Sequence, residues 1–129
     1  MSLDEIRDIL NATVITHQAS LRNSVESVYC ADLMSDVLSF SDSGCLLITG
    51  LTNAQVIRTA EMAAISVIVF VQGKRPALQT IRLADEKDIP LLVTDLPMFD
   101  ACGRLFEKGL RSQSASISRA PIVACHEGC

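Results

Sequence analysis

Apolar residues along this chain fall into two kinds of pattern: short unbroken runs, and stripes recurring every three or four positions between them. The runs Leu46 to Thr49 (LLIT), Val67 to Val71 (VIVFV) and Leu91 to Thr94 (LLVT) recur at intervals of about twenty residues, each followed by turn residues and then a helical stripe. Runs without polar alternation mark strands covered on both faces, and the strand-helix-strand rhythm predicts parallel pairing through right-handed crossovers. The fold class that follows is α/β: a single domain with a mainly parallel sheet flanked by helices on both faces. Two shorter strand candidates are Thr13 to Thr16 and Val25 to Tyr29.

The stripes carry their own start and stop signals. Ser2 with Glu5 forms a capping box for an N-terminal helix over residues 2–11, with Ile6, Ile9 and Leu10 on its inner side. Asp32 is expected to cap a helix holding Leu33, Val37 and Leu38. Thr52 with Gln55 forms a second box ahead of the stripe Val56, Ile57, Ala60, Ala63 and Ala64. Pro76 suits the first turn of the next helix, whose thinner stripe is Leu78, Ile81 and Ala84 or Asp85. The last helix starts near Asp95 and Pro97, turns Met98, Cys102, Leu105 and Phe106 to one side and stops at Gly109, with Leu110 completing a Schellman motif. Residues 111–120, RSQSASISRA, are Ser-rich and aperiodic. The domain is therefore expected to span residues 1–110 and residues 111–129 to form a loosely ordered tail.

Composition narrows the class. A chain of 129 residues is long enough for one real core and too short for two. Apolar residues make up 49% and charged residues 20%, with a net charge of -4, which argues against disorder and against a surface for nucleic acid. So much apolar area on so small a protein predicts a face covered by a second subunit, hence a homodimer. The start, MSLDEIRDIL, lacks the basic head and long apolar run of a signal peptide, and no run reaches the roughly 18 residues of a membrane span. A cytoplasmic protein without membrane contact is expected.

The five cysteines, an odd number without a framework's spacing, read as free thiols. Cys45 and Cys102 lie inside apolar patterns and are expected in the core. Cys125 and Cys129 bracket the terminal CHEGC with His126 between them, but three donors fall short of the about four that a metal site needs. No metal and no cofactor is expected, Cys125, His126 and Cys129 being the nearest approach to a metal site.

In a parallel sheet the strand ends and following helix starts share one edge, so the turns TGLTN, QGKRP and TDLP should converge there. Helix N-termini carry unpaired N–H groups, Gly50 and Gly73 permit close backbone approach, and Lys74 and Arg75 add positive charge. The candidate ligand-binding residues are therefore Thr49, Gly50, Thr52, Asn53, Gln72, Gly73, Lys74, Arg75, Thr94 and Asp95, with an anion as guest. Neither GxxxxGK[ST] nor GxGxxG occurs, so phosphate-loop and dinucleotide chemistry lack their usual apparatus. His17 has no identifiable nucleophile beside it, and Asp95 ahead of Leu-Pro reads as a helix cap before it reads as a base. No catalytic residue is assigned and no enzyme is expected.

From Val14 to Leu110 the segments VYCADLMSDVLSF, LLITG, VIVFVQGKRP and IPLLVTDLPMFDACGRLFEKGL follow in an order that resembles a stand-alone DRTGG domain. The most telling part is a strand ending in a glycine turn and [KR]P, a helix, then a buried strand followed by Thr94, Asp95, Phe99, Gly103, Arg104 and Leu105. The resemblance implies a parallel α/β domain related to the N-terminal domain of HPr kinase/phosphorylase and to modules of phosphotransacetylases and of proteins with CBS domains. Such parts are taken as regulatory or ligand-sensing. Where the family tends to have Asp-Arg this chain has Thr52-Asn53, and where it has Thr-Gly-Gly this chain has Val71-Gln72-Gly73.

Two functions are compatible with these features. One is a non-catalytic regulatory homodimer that binds a small anionic metabolite or nucleotide at the strand C-terminal edge and modulates a partner enzyme. The other is an accessory or assembly protein of a redox or metalloenzyme, with the CHEGC tail as its chemical handle.

Overall fold

The computed structural model describes residues 1–17 and 24–112. Along them run α1 (Leu3–Leu10), β1 (Thr13–Val14), β2 (Val28–Cys30), α2 (Met34–Phe40), β3 (Leu46–Thr49), α3 (Ala54–Met62), β4 (Val67–Phe70), α4 (Leu78–Glu86), β5 (Leu91–Val93) and α5 (Met98–Glu107). The strands form one sheet in the order β1-β5-β4-β3-β2, with β2 to β5 parallel and β1 antiparallel to β5. The α/β expectation, a mainly parallel sheet between helices, is met.

Why helices cover both faces follows from the strand order. Parallel strands laid side by side in chain order, joined by crossovers of one hand, place every crossover helix on the same face. Accordingly Met34 and Val37 of α2, Val56, Ile57 and Ala60 of α3 and Ala84 of α4 share one core with Leu47, Ile68, Phe70, Leu91 and Val93. The opposite face falls to the elements at the ends of the domain. There Leu3, Ile6 and Leu10 of α1 and Ala101 and Leu105 of α5 pack on Leu46, Ile48, Val67, Val69 and Leu92. The two lists alternate along each strand, as the pleat requires.

Helix ends differ in kind from helix starts. α1 opens with the expected capping box: Ser2 Oγ accepts from Glu5 N at 3.2 Å and Ser2 N donates to Glu5 Oε1 at 3.2 Å. α5 closes with the expected Schellman motif, in which Leu110 N donates to Leu105 O and Gly109 N to Phe106 O, both at 3.1 Å, with Gly109 at φ 104°. α3 and α4 close the same way around Ala64 and Asp88, both at φ 56°.

Several sequence-based expectations are corrected. The Thr52–Gln55 box does not form. Leu51 N turns back onto Thr49 Oγ1 at 3.1 Å, the chain is still in its turn at Thr52, and α3 starts after Asn53, whose side chain makes no cap. Asp32 does not cap α2, since its carboxylate is engaged at the end of β3 and the N-cap position is Leu33. Pro76 is buried ahead of α4, whose N-cap is Ala77. Phe106 and Leu38 are exposed, because α5 and α2 each bury a narrower stripe than the spacing suggests, whereas the exposure of Leu78 agrees with the thin stripe of α4. Ala64 is exposed as the left-handed residue past the end of α3. Cys45 is in the core, whereas Cys102 is only half-buried.

Arg111, assigned to the tail by its composition, pairs with Ser27 and accepts a bond from Val28 N at 3.0 Å. Its guanidinium carbon lies 3.7 Å from the centroid of the Phe106 ring. Cys125, His126 and Cys129 lie outside the described residues. Among the described residues no helix is long and apolar enough to cross a membrane, and no group of acidic, histidine and cysteine side chains could hold a metal.

Candidate functional site

The ends of β3 and β5 are built by the same device. In Thr49-Gly50-Leu51 the Thr49 hydroxyl accepts from Leu51 N at 3.1 Å and donates to Asp32 Oδ1 at 2.9 Å. In Thr94-Asp95-Leu96 the Thr94 hydroxyl accepts from Leu96 N at 3.3 Å and donates to Leu10 O at 2.7 Å. Both threonines are buried. Each closes a tight turn by a side-chain to backbone bond two residues on and anchors that turn to the neighbouring element. They shape the edge from beneath, with their hydroxyls already spent on protein partners.

Between these turns lies QGKRP, and its backbone seals the gap toward β5. Gln72 N donates to Leu96 O and Gly73 N to Thr94 O, both at 2.9 Å, while Lys74 N donates to Val71 O at 3.1 Å. Gln72 and Gly73 both have positive φ, 59° and 67°. A Cβ at Gly73 would stand 3.0 Å from Asp95 Oδ1, so glycine serves the close approach as well as the dihedral. This is where the connections part: the chain leaves β4 for α4 on one face and leaves β5 for α5 on the other. Such a parting is where open α/β sheets place ligands. Here its floor is occupied by backbone hydrogen bonds, which leaves the rim, Lys74, Arg75 and Asp95, exposed.

On the β3 side, Lys74 reaches across. A Cβ added to Gly50 would lie 3.4 Å from Lys74 Nζ and 3.7 and 3.8 Å from the two Asp32 carboxylate oxygens. Asp32 Oδ1 accepts from Gly50 N at 2.8 Å, so the carboxylate and the ammonium flank one glycine without closing an ion pair. Of the candidate residues, Thr49, Gly50, Gln72, Gly73, Lys74, Thr94 and Asp95 are thus brought together through hydrogen bonds and close approaches. Thr52 and Asn53 follow at the start of α3, and Arg75 follows Lys74 on the exposed rim. Asp32 was not among the predicted site residues. It lies two positions beyond the end of β2, where a carboxylate at a parallel strand end can bind the neighbouring turn as readily as its own helix.

The edge also collects helix starts without caps. Among the described helices only α1 has its first turn capped by a side chain, and α1 begins at the opposite end of the sheet; α3, α4 and α5 have none. Their first N–H groups and the positive ends of their dipoles face the same side as Lys74 and Arg75, neither of which makes an ion pair among the described residues. His17 belongs elsewhere. Because β1 is antiparallel, its end lies at the other edge, with Leu91 N donating to Thr16 Oγ1 at 3.2 Å and His17 N to Asp85 Oδ1 at 2.9 Å. His17 and Asp95 are therefore on opposite edges of the sheet.

The DRTGG domain model matches residues 5–107, most of the chain. The chain belongs to the DRTGG domain family. Among solved structures, that of the CBS and DRTGG domains of the regulatory region of Clostridium perfringens pyrophosphatase, complexed with its activator diadenosine tetraphosphate, is similar with a TM-score of 0.64. Identity is 22% over 81% of this chain and 45% of that one, so this DRTGG chain spans less than half of its neighbour's length and the likeness is one of fold. No curated protein matches the chain. Within the span matched by the DRTGG model, Thr52-Asn53 and Val71-Gln72-Gly73 lie after β3 and β4 at one edge.

Proposed function

We propose that this DRTGG protein is a non-catalytic regulatory module that binds a small anionic metabolite or nucleotide at the C-terminal edge of its parallel strands. The observation that carries the reading is Lys74 Nζ placed over Gly50, beside the uncapped start of α3. A phosphate group there would receive an ammonium, backbone N–H groups and the positive end of a helix at once. Asp32 and the threonines hold the turn in shape, and Arg75 supplies a second cation on the rim. The nucleotide-activated regulatory region of the structural neighbour supports the same class of guest. In this reading the protein is cytoplasmic and acts on a partner enzyme according to occupancy.

Calorimetry and thermal shift with phosphate, mononucleotides and dinucleoside polyphosphates test the reading. Saturation at 100 times Kd would raise stability by about 2.7 kcal/mol. A protein whose melting temperature none of these compounds moves has no such site.

The reading includes a homodimer. Leu33 at the N-cap of α2 and Leu38 and Phe40 within it are exposed, and α2 follows directly on the edge strand β2. A two-fold interface over this region would bury on the order of 1,200 Å² or more. Sedimentation at tens of micromolar is expected to show a dimer that Phe40→Asp dissociates; a monomeric parent protein removes the dimer from the proposal.

A further inference from the structure

Strand pleating puts Cys30 on the α5 side of the sheet, since it pairs in register with Ile48, whose side chain packs on that face. α5 presents Cys102 to the same place, and the two sulfurs lie 2.9 Å apart. They are far apart in sequence and on different elements, so nothing local brings them together. Both line a hollow of about 200 Å³ with Val28, Leu105, Phe106 and Arg111, and Cys30, at the end of an edge strand, is exposed. Cys45, the other thiol among the described residues, is buried in the opposite core.

The geometry points to a redox modification site: Cys30 and Cys102 form a dithiol that a hydroperoxide oxidises to an intramolecular disulfide. The sulfurs need only close from their present contact to the about 2.05 Å of a bond. The contact between the sulfurs favours ionisation of one of them, since either thiol can donate to the other as thiolate. With Cys30 as the donor, Cys102 is held below the ordinary thiol range and Cys30 above it. In that arrangement Cys102 is the nucleophile and Cys30 the resolving thiol; exchanged roles give the same disulfide.

The chemistry balances in two steps. The Cys102 thiolate attacks a peroxide oxygen; an S–O bond forms, the O–O bond breaks, and the departing hydroxide takes up a proton to leave as water. Cys30 then attacks the sulfur of the Cys102 sulfenic acid, an S–S bond forms, and the S–O oxygen leaves as a second water with the Cys30 proton. Two thiols lose two electrons and the peroxide gains them. The bond ties the end of β2, two residues before Asp32, to α5, which packs on the same face of the sheet.

The test uses the full-length reduced protein treated with hydrogen peroxide, alkylated and digested. A peptide joining Cys30 to Cys102, lighter than the reduced pair by two hydrogen atoms and restored by dithiothreitol, is the expected result. In Cys30→Ser or Cys102→Ser the sulfenic acid on the remaining cysteine has no resolving thiol, so dimedone should label that cysteine in at least one of the two variants and leave both cysteines unlabelled in the parent. Alkylation of both residues after oxidation, linkage of either one to Cys125 or Cys129, or dimedone labelling no greater in either variant than in the parent would overturn the proposal. The parent's peptide map decides the matter even if the variants fail to fold.

Discussion

Asp32 Oδ1 accepts from Gly50 N at 2.8 Å and from the Thr49 hydroxyl at 2.9 Å, so one carboxylate from the turn after β2 ties down the end of β3. Thr49 is fully buried. Both bonds are charge-assisted, and losing the carboxylate leaves the buried Thr49 hydroxyl without that acceptor, while the bond from Gly50 N is exposed.

Asp32→Ala is therefore expected to destabilise the fold by about 1.5 to 3 kcal/mol, while Asp32→Asn, which keeps an acceptor oxygen, costs less. Urea unfolding with an unchanged m-value measures both. Equal stability of Asp32→Ala and the parent would mean that the strand end holds itself.

Gly73 and Gly50 should respond differently to a methyl group. At Gly73 the added Cβ combines positive φ with a 3.0 Å approach to Asp95 Oδ1, so Gly73→Ala is expected to cost about 1 to 2 kcal/mol, only partly recovered in the double variant with Asp95→Ala. At Gly50 the nearest atom is the mobile tip of Lys74 at 3.4 Å. Gly50→Ala should fold nearly as well as the parent yet bind its anion more weakly, because the ammonium is moved aside. Urea unfolding and calorimetry on the two variants separate strain from displacement.

Lys74→Ala with Arg75→Ala should leave stability within about 1 kcal/mol of the parent, since both side chains are exposed and unpaired among the described residues. Anion affinity is expected to fall at least about tenfold, each lost charge-assisted bond costing about 1.5 to 3 kcal/mol. Raising salt should weaken binding to the parent more than to the variant. Unchanged affinity in the double variant would leave QGKRP as a turn and nothing more.

Cys45 gives the fold a pH signature. Burial pushes its thiol up from 9.0 to about 11. The folded state therefore holds the proton more tightly than the unfolded state. The resulting stability is fully present below pH 9 and is lost as pH rises toward and through 11. The stability of Cys45→Ala is expected to decline less than the parent's between those limits, and parallel curves in alkaline urea titrations would refute the assignment.

Much of the architecture is set by local pattern. LLIT, VIVFV and LLVT become β3, β4 and β5 at nearly their predicted bounds, because short runs of four or five mostly apolar residues between turns bury both faces as central strands. Ser2–Glu5 and Gly109–Leu110 behave as read, since a capping box and a Schellman turn involve only neighbours in the chain. The convergence of TGLTN, QGKRP and TDLP was likewise legible, because parallel strands must end on one edge. Tertiary structure alone decided the rest. A carboxylate such as Asp32 has several N–H groups within reach, and only the placement of β2 beside β3 gives it Gly50 in place of its own helix. Whether the strand-end N–H groups are free depends on the contact between QGKRP and TDLP, which consumes two of them. Cys30 and Cys102 read as unrelated residues in the sequence, and they meet because strand register and the packing of α5 bring two distant points onto one face of the sheet.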